Sequence, residues 1–387
     1  MGQTDIICAA SDTPDELKSS ARYLCPAADA RETLQSAIDE AGRLGVRCVL
    51  LKGTYVINSR GTKNPHGGIV FFNELPPTGS SYAHNQGLFR TLEGVLEPLG
   101  WQNGALIVMG RELYDDLAED EPFSLFYCDG NDIFGRAWTI RNLAVQLPGN
   151  RKPVIVFDGS SCSALTYEGV WVTAVPVNSF DFATSRGLTV PHPASAAFRG
   201  TAGSNFVARS EWKNLAAVGF GTGFDIGGEH VYCESLSALY NIYGFSFNCY
   251  CGKRNFGDDE KSCFGGCFYP IYCVNLLDEH NVNMPRFGRS MYSSHQSITI
   301  RAMNLQWPNT CPGHTDRKAP DFLTGRLRAT ETVPGHWRGS IEYIIDHTTP
   351  DGRVNLVEEP FFESGHGLHV KTVNLLIPEP DTCTEKR

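Results

Sequence analysis

One stretch near the start of the chain, ARYLCPAADARETLQSAIDEAGRLGVRCVLLKGTYVIN (Ala21 to Asn58), restricts the fold more than any other. Leu34, Ala37, Ile38, Ala41 and Leu44 recur at helical spacing and put an apolar stripe on one helix face. Asp29 with Glu32 forms a capping-box pattern, and Gly45 stands where a left-handed C-cap belongs, so a helix is expected over Ala30 to Leu44. Val46 to Asn58 is rich in β-branched and aromatic residues with Gly53 between two short runs, which reads as a strand, a corner and a second strand. Long helical periodicity does not return after Leu44, so the sequence describes one capped helix feeding an all-β body.

These residues resemble the entry segment of right-handed parallel β-helix proteins of the pectate-lyase-like superfamily. The superfamily pattern is a DxxxLQxAIDxA helix followed by a VxLxxGTYxI strand, and DARETLQSAIDEA with CVLLKGTYVI supplies it here. The preceding DIICAASDTPDELKSSARYLC looks like the preface carried by bacterial and phage members. The resemblance implies an all-β fold, a right-handed parallel β-helix (solenoid) with an N-terminal capping helix. Lyases, hydrolases, epimerases and phage tailspikes share this entry, so the resemblance narrows the fold more than the activity.

A β-helix requires repeats, and the chain offers a recurring phrase with a small or amide residue before Leu or Val. It occurs as IRNLAVQ at Leu143, YEGVWVT at Val170, WKNLAAV at Leu215, CESLSAL at Leu236, CVNLLDE at Leu276 and RAMNLQW at Leu305. The gaps of 27, 45, 21, 40 and 29 residues suit stacked coils, the two wide ones hiding either an unrecognised coil or an inserted loop. A β-sandwich with long loops is the alternative. With 39 Gly and 22 Pro among 387 residues, one large β-rich domain is expected: a strand and capping helix over 1–45, and a single parallel β-helix domain over 46–387. The Pro-, Gly-, Ser- and Thr-rich segments near 176–206 and 308–337 read as long loops projecting from it.

A net charge of −10 without a Lys or Arg run disfavours nucleic acid. No Sec signal and no membrane-length apolar span are visible, so a cytoplasmic or phage-particle location is expected. Thirteen cysteines, an odd number without a visible signal peptide, argue for reduced thiols, with Cys8, Cys25, Cys48, Cys233 and Cys273 in apolar runs as small core residues. Cys249, Cys251, Cys263 and Cys267 are either a four-thiolate zinc clamp around GKRNFGDDEKS or stacked interior residues, and their spacing is not that of a common zinc module. GTGFDIGG does not match a P-loop, no nucleophile elbow occurs, and no acidic cluster has a Ca²⁺-loop spacing; no cofactor is expected.

Chemistry on a β-helix surface usually serves a poly- or oligosaccharide, with carboxylates for proton transfer and aromatics for stacking. Acids and aromatics are densest from Phe224 to Arg286. In FDIGGEHVYCES, Asp225 and Glu229 flank a Gly pair, and LLDEHN brings Asp278, Glu279 and His280 to the end of a later strand. Asp225, Glu229, Asp278 and Glu279 are the candidate acid, base or nucleophile. Their separation decides between a retaining mechanism, at about 5 Å, and an inverting one, at roughly 6.5–9.5 Å. His230, Tyr232, His280 and Arg286 are candidate substrate contacts, as are Glu363 and His366 of EEPFFESGHGLHV; ordinary turn and surface roles are the alternative for each. For elimination chemistry the basic candidates are Arg286, Arg289 and Lys253. Two functions stand: a carbohydrate-active enzyme, and a non-catalytic glycan-binding phage tail or cell-surface appendage. Either accommodates a homotrimer packed along the helix sides.

Overall fold

The structure, a computed structural model, describes residues 5–72, 88–95, 104–128, 136–162, 164–174, 191–200, 210–227, 230–248, 269–279, 281, 286–287, 296–306, 337–346 and 368–375. In chain order the elements are β1 (Ile6–Ala9), α1 (Asp15–Lys18), β2 (Tyr23–Leu24), α2 (Arg31–Leu44), β3 (Cys48–Leu50), β4 (Gly53–Ile57), β5 (Gly67–Phe71), β6 (Leu88–Gly94), β7 (Ala105–Met109), α3 (Arg111–Asp115), β8 (Phe123–Cys128), β9 (Arg136–Gln146) and β10 (Val154–Asp158). There follow β11 (Ala164–Thr173), β12 (Ala196–Arg199), β13 (Ser210–Val218), β14 (Thr222–Gly227), β15 (Val231–Leu239), β16 (Tyr243–Asn248), β17 (Tyr269–Glu279), β18 (Arg286–Phe287), β19 (Gln296–Gln306), β20 (Trp337–Asp346) and β21 (Leu368–Leu375). The protein is mostly β, and its strands form two parallel sheets. The longer sheet runs β2-β1-β3-β6-β9-β11-β13-β15-β17-β19-β20-β21 with β4 and β7 attached, and the shorter runs β18-β16-β14-β12-β10-β8-β5. From β8 to β19 the chain alternates strictly between them, so each new pair of strands lies on the pair before it.

The expected helix is present as α2, ending at Gly45 with φ 69°. Its start differs from the capping-box expectation. The N-cap is Ala30 without a side-chain cap; Asp29 Oδ1 instead accepts from the Arg31 and Asn58 amides at 3.1 and 3.0 Å, tying the helix entry to the chain beyond β4. Leu34, Ala37, Ile38 and Ala41 are buried against the sheets. Gln35 has a further role. Its side-chain amide donates to Val70 O at 2.8 Å and accepts from Val70 N at 2.9 Å, pairing with the outermost strand of the shorter sheet as another strand would. That edge is thereby closed by a side chain.

The repeated phrase has a structural cause. Asn142, Gly169, Asn214, Ser235, Asn275 and Ala302 all adopt left-handed backbone, with φ between 53° and 63°. Each strand pair is in register on both sides of this residue, as with Glu168↔Arg141 and Val170↔Leu143. The longer sheet therefore bends along one column of stacked left-handed residues, where Asn and Gly cost least. Leu143, Val170, Leu215, Leu236 and Leu276 follow the bend in register as expected. The last repeat is shifted: Met303, not Leu305, pairs with Leu276, and the bend falls at Ala302 rather than on an amide. Neither wide gap hides a strand of this column, because Lys213 pairs directly with Glu168 and Leu236 with Leu276. The loop expected over 176–206 is interrupted by β12, a four-residue strand carried by one buried aromatic, Phe198; of 308–337 only Trp337, opening β20, lies within the described residues.

The core lies between the sheets. Phe126, Phe157, Phe198, Phe224 and Phe245 stand in register and stack face to face, with centroids 5.2, 5.5, 5.2 and 5.3 Å apart and interplanar angles of 10–24°. From the longer sheet Tyr167 meets Phe198 edge-on, and Trp138 and Trp212 pack edge-on against Tyr167. Replacing the misfit residue of the bend, Ala302→Asn, is expected to raise the denaturant midpoint, and Asn214→Ala to lower it, each by about 0.5–1 kcal/mol. Equal, negligible shifts in chemical denaturation would show that the bend does not select its residues.

Candidate functional site

The residues after the ladder phenylalanines form a row of their own, in which Tyr127 and Ser246 are buried while Asp158, Arg199 and Asp225 are partly open. Tyr127, Asp158, Arg199, Asp225 and Ser246 occupy successive register positions on β8, β10, β12, β14 and β16, and the backbone of Arg286 on β18 pairs in register with Ser246. The phenylalanines before them are fully buried, whereas the side chains of Asp158, Arg199 and Asp225 are 14%, 33% and 15% exposed. Arg199 lies between two carboxylates, its Nη1 3.7 Å from Asp158 Oδ2 and its Nε 3.8 Å from Asp225 Oδ2. Asp158 Oδ2 also accepts from Ser124 Oγ at 2.8 Å, and its Oδ1 from the Ser160 amide at 3.1 Å. With strands about 4.8 Å apart, the two aspartates stand two strands, roughly 9.6 Å, apart at their Cα atoms.

Two sequence-derived candidates, Asp225 and Arg286, thus share one row, and two members, Asp158 and Arg199, were missed by reading the sequence for acids alone. The signal that finds them is Phe followed by a polar residue in VIVFDG, SAAFRG, GTGFDIGG and YGFSFN.

Asp278 belongs elsewhere. It pairs with Ala238 in the longer sheet and points into the interior, so it does not line an open groove with Asp225. Its place is at one end of a buried amide network. Asn281 Nδ2 donates to Asp278 Oδ1 and, at 2.9 Å, to Ala238 O. Asn281 Oδ1 accepts from Asn241 N at 2.7 Å and Asn241 Nδ2 at 3.0 Å, and Asn241 Oδ1 accepts from Phe220 N at 2.8 Å. Asp278 Oδ2 has no hydrogen-bond partner among the described residues. Burial, only partly offset by Asn281, pushes the carboxyl up to about 7.

The other candidates are dispersed. Glu279 is half-buried at the end of β17, and its carbonyl accepts from Tyr240 N at 3.2 Å. His230 is exposed with φ 52° before β15. Tyr232 lies on the outside of the longer sheet and stacks on Tyr272 at 5.8 Å; Lys213 Nζ is 5.4 Å from the Tyr232 ring centre and the Arg301 guanidinium 5.8 Å from that of Tyr272. These neighbours from strands on either side occupy the tyrosine faces that a sugar would need. The Tyr232 hydroxyl donates to Glu234 at 3.0 Å, which raises its pKa. Trp171, 48% exposed, and Phe89, 65% exposed, are open aromatic rings on strands of that sheet. Glu229, His280, Glu363, His366, Arg289, Lys253 and the four cysteines Cys249, Cys251, Cys263 and Cys267 lie outside the described residues. Among the described residues no group of three or more His, Cys, Asp or Glu is placed to hold a metal, and no helix is long and apolar enough to cross a membrane. No protein-family profile, curated protein or solved structure matches the chain. The class defined by the fold is therefore a mostly parallel-β protein with a charged row on the outside of its shorter sheet.

The Asp278 proton gives stability a pH signature. The folded carboxyl holds its proton to about pH 7, whereas the unfolded chain releases it near the ordinary 3.8. This stabilisation is full below about pH 4, falls as pH rises, and is gone above about pH 7. Asp278→Asn is expected to flatten that slope and to be more stable than wild type at pH 8 by roughly 2–4 kcal/mol. Denaturant midpoints at pH 5 and pH 8 measure this, and a variant less stable than wild type at pH 8 would overturn it.

Proposed function

We propose that the two sheets are faces of a right-handed parallel β-helix of the pectate-lyase-like kind, closed at one end by α2. We further propose that the chain is a carbohydrate-active enzyme that cleaves or transfers glycosidic bonds of a poly- or oligosaccharide lying along the shorter sheet. The strict alternation of strands, the parallel pairing and the Gln35 edge closure support the first reading. The Asp158–Arg199–Asp225 row carries the second. A polymer running along the stacking direction crosses strand after strand and meets these groups in order. One carboxyl protonates the leaving oxygen and the other activates the attacking water or acceptor hydroxyl. Arg199 keeps both carboxylates oriented and offers N–H donors to sugar oxygens.

A specific observation favours a second reading, a glycan-binding phage or cell-surface appendage without turnover: both carboxylates are already engaged by Arg199, and Asp158 by Ser124 as well. Such a row holds sugar hydroxyls without a free proton donor. A phage-particle location and a homotrimer accompany that reading.

Release of reducing ends and of unsaturated uronate absorbance from a panel of neutral and uronic polysaccharides tests the proposal. Wild type is expected to release reducing ends, and Asp158→Asn or Asp225→Asn to lower the rate by about 10²–10⁴-fold. Undiminished turnover in both variants would remove the row from catalysis, and glycan binding with no turnover by wild type would select the appendage.

A further inference from the structure

Cys128 closes β8 and Cys162 lies in the turn after β10, 34 positions further on; both side chains are buried. Their Sγ atoms are 2.6 Å apart. Another buried pair in the same molecule, Cys8 and Cys48, is separated by 3.8 Å, an ordinary distance for thiols sharing a weak hydrogen bond. At 2.6 Å the Cys128 and Cys162 sulfurs are closer to a bond of about 2.05 Å than to such a contact, and two intact thiols at that distance repel. The backbone around them is fixed on both sides: β8 and β10 pair in register from Val154↔Phe123 to Asp158↔Tyr127, and the Cys162 amide donates to Gly159 O at 2.9 Å. The strands and the turn therefore hold the two residues face to face before any bond forms.

We propose that Cys128 and Cys162 form a disulfide in the mature protein, against the reduced-thiol expectation from the cysteine count. The co-reactant is an external disulfide, either a small-molecule disulfide such as oxidised glutathione or a thiol–disulfide oxidoreductase. One cysteine loses its proton and its thiolate attacks that disulfide, releasing one external thiol and leaving a mixed disulfide; the second thiolate then attacks the first cysteine's sulfur and releases the other. Two cysteine thiols are oxidised and one external disulfide is reduced to two thiols. Because both sulfurs are buried in the finished fold, the bond forms as β8 and β10 come together and afterwards resists soluble reductants. It closes a loop around the segment that leads into Asp158, whose carboxylate caps the same turn through the Ser160 amide. Fixing the Asp158 end of the charged row is a consequence that rests on the proposed function; the bond itself does not.

The full chain is refolded in a glutathione redox buffer, unfolded in guanidinium with iodoacetamide and no reductant, digested and analysed by mass spectrometry. The expected result is that the peptides holding Cys128 and Cys162 emerge joined and separate on reduction, while Cys8 and Cys48 carry the alkyl label. Wild type reduced while unfolded and refolded under reductant is also expected to melt about 5 °C below oxidised wild type, and the Cys128→Ser, Cys162→Ser variant to melt alike after either treatment. Quantitative labelling of both Cys128 and Cys162 before reduction would overturn the proposal. That outcome leaves the glycan reading untouched, since the latter is decided on the Asp158 and Asp225 variants.

Discussion

The stacking of Phe126, Phe157, Phe198, Phe224 and Phe245 is the interaction on which the rest of the structure depends. Parallel strands in unbroken register place each residue against its equivalent in the next strand, so whatever suits one position must suit a whole row. Aromatic rings satisfy that demand, since each offset-stacked pair contributes about 0.5–1.5 kcal/mol beyond its buried area. Charges do not, because a row of one sign repels itself. The outer row follows from both facts: it begins one residue after the ring that fixes each strand, and it alternates Asp158, Arg199 and Asp225. The core row thereby decides where the polar groups of the candidate site stand and how far apart they are.

The longer sheet solves a different problem. It must turn without losing pairing, and it does so by aligning left-handed residues, so that each strand bends where its neighbours bend. Ser235 and Ala302 occupy positions that suit Asn or Gly better, and the Asn275 side chain donates to Ser235 Oγ at 3.2 Å across the bend. Between the aligned positions the chain accepts insertions. Leu236 and Leu276 lie side by side although 40 positions separate them in sequence, because lengthening a loop costs little once its ends are held by a sheet.

Physical legibility in the sequence followed periodicity. The capping helix is readable from its apolar stripe and Gly45; of the bends only the recurring small or amide residue before Leu or Val is readable, its left-handed cause emerging with the structure. The Phe rows were harder to see: their strands are four to six residues long from β8 to β16, and insertions make their spacing irregular. Asp278 looked like part of an acidic surface cluster in LLDEHN. Alternation places Leu276 inside, Leu277 outside and Asp278 inside, and the carboxyl is tolerated there by Asn281 and by keeping its proton. Tyr232 is expected as a substrate contact, and the Lys213 cation and Tyr272 ring that lie against it come from strands distant in sequence. Cys128 and Cys162 carried no sequence signal, since their proximity arises from β8 and β10 pairing.

Amide hydrogen exchange of the intact chain, with and without each member of an oligosaccharide panel, tests the central claim that the outer face of the shorter sheet receives a glycan. Slowed exchange is expected in peptides spanning β10, β12 and β14 for at least one oligosaccharide, with the outer strands of the longer sheet unchanged. Protection confined to the longer sheet around Trp171, Lys213 and Tyr232, or no protection with any oligosaccharide, would contradict it.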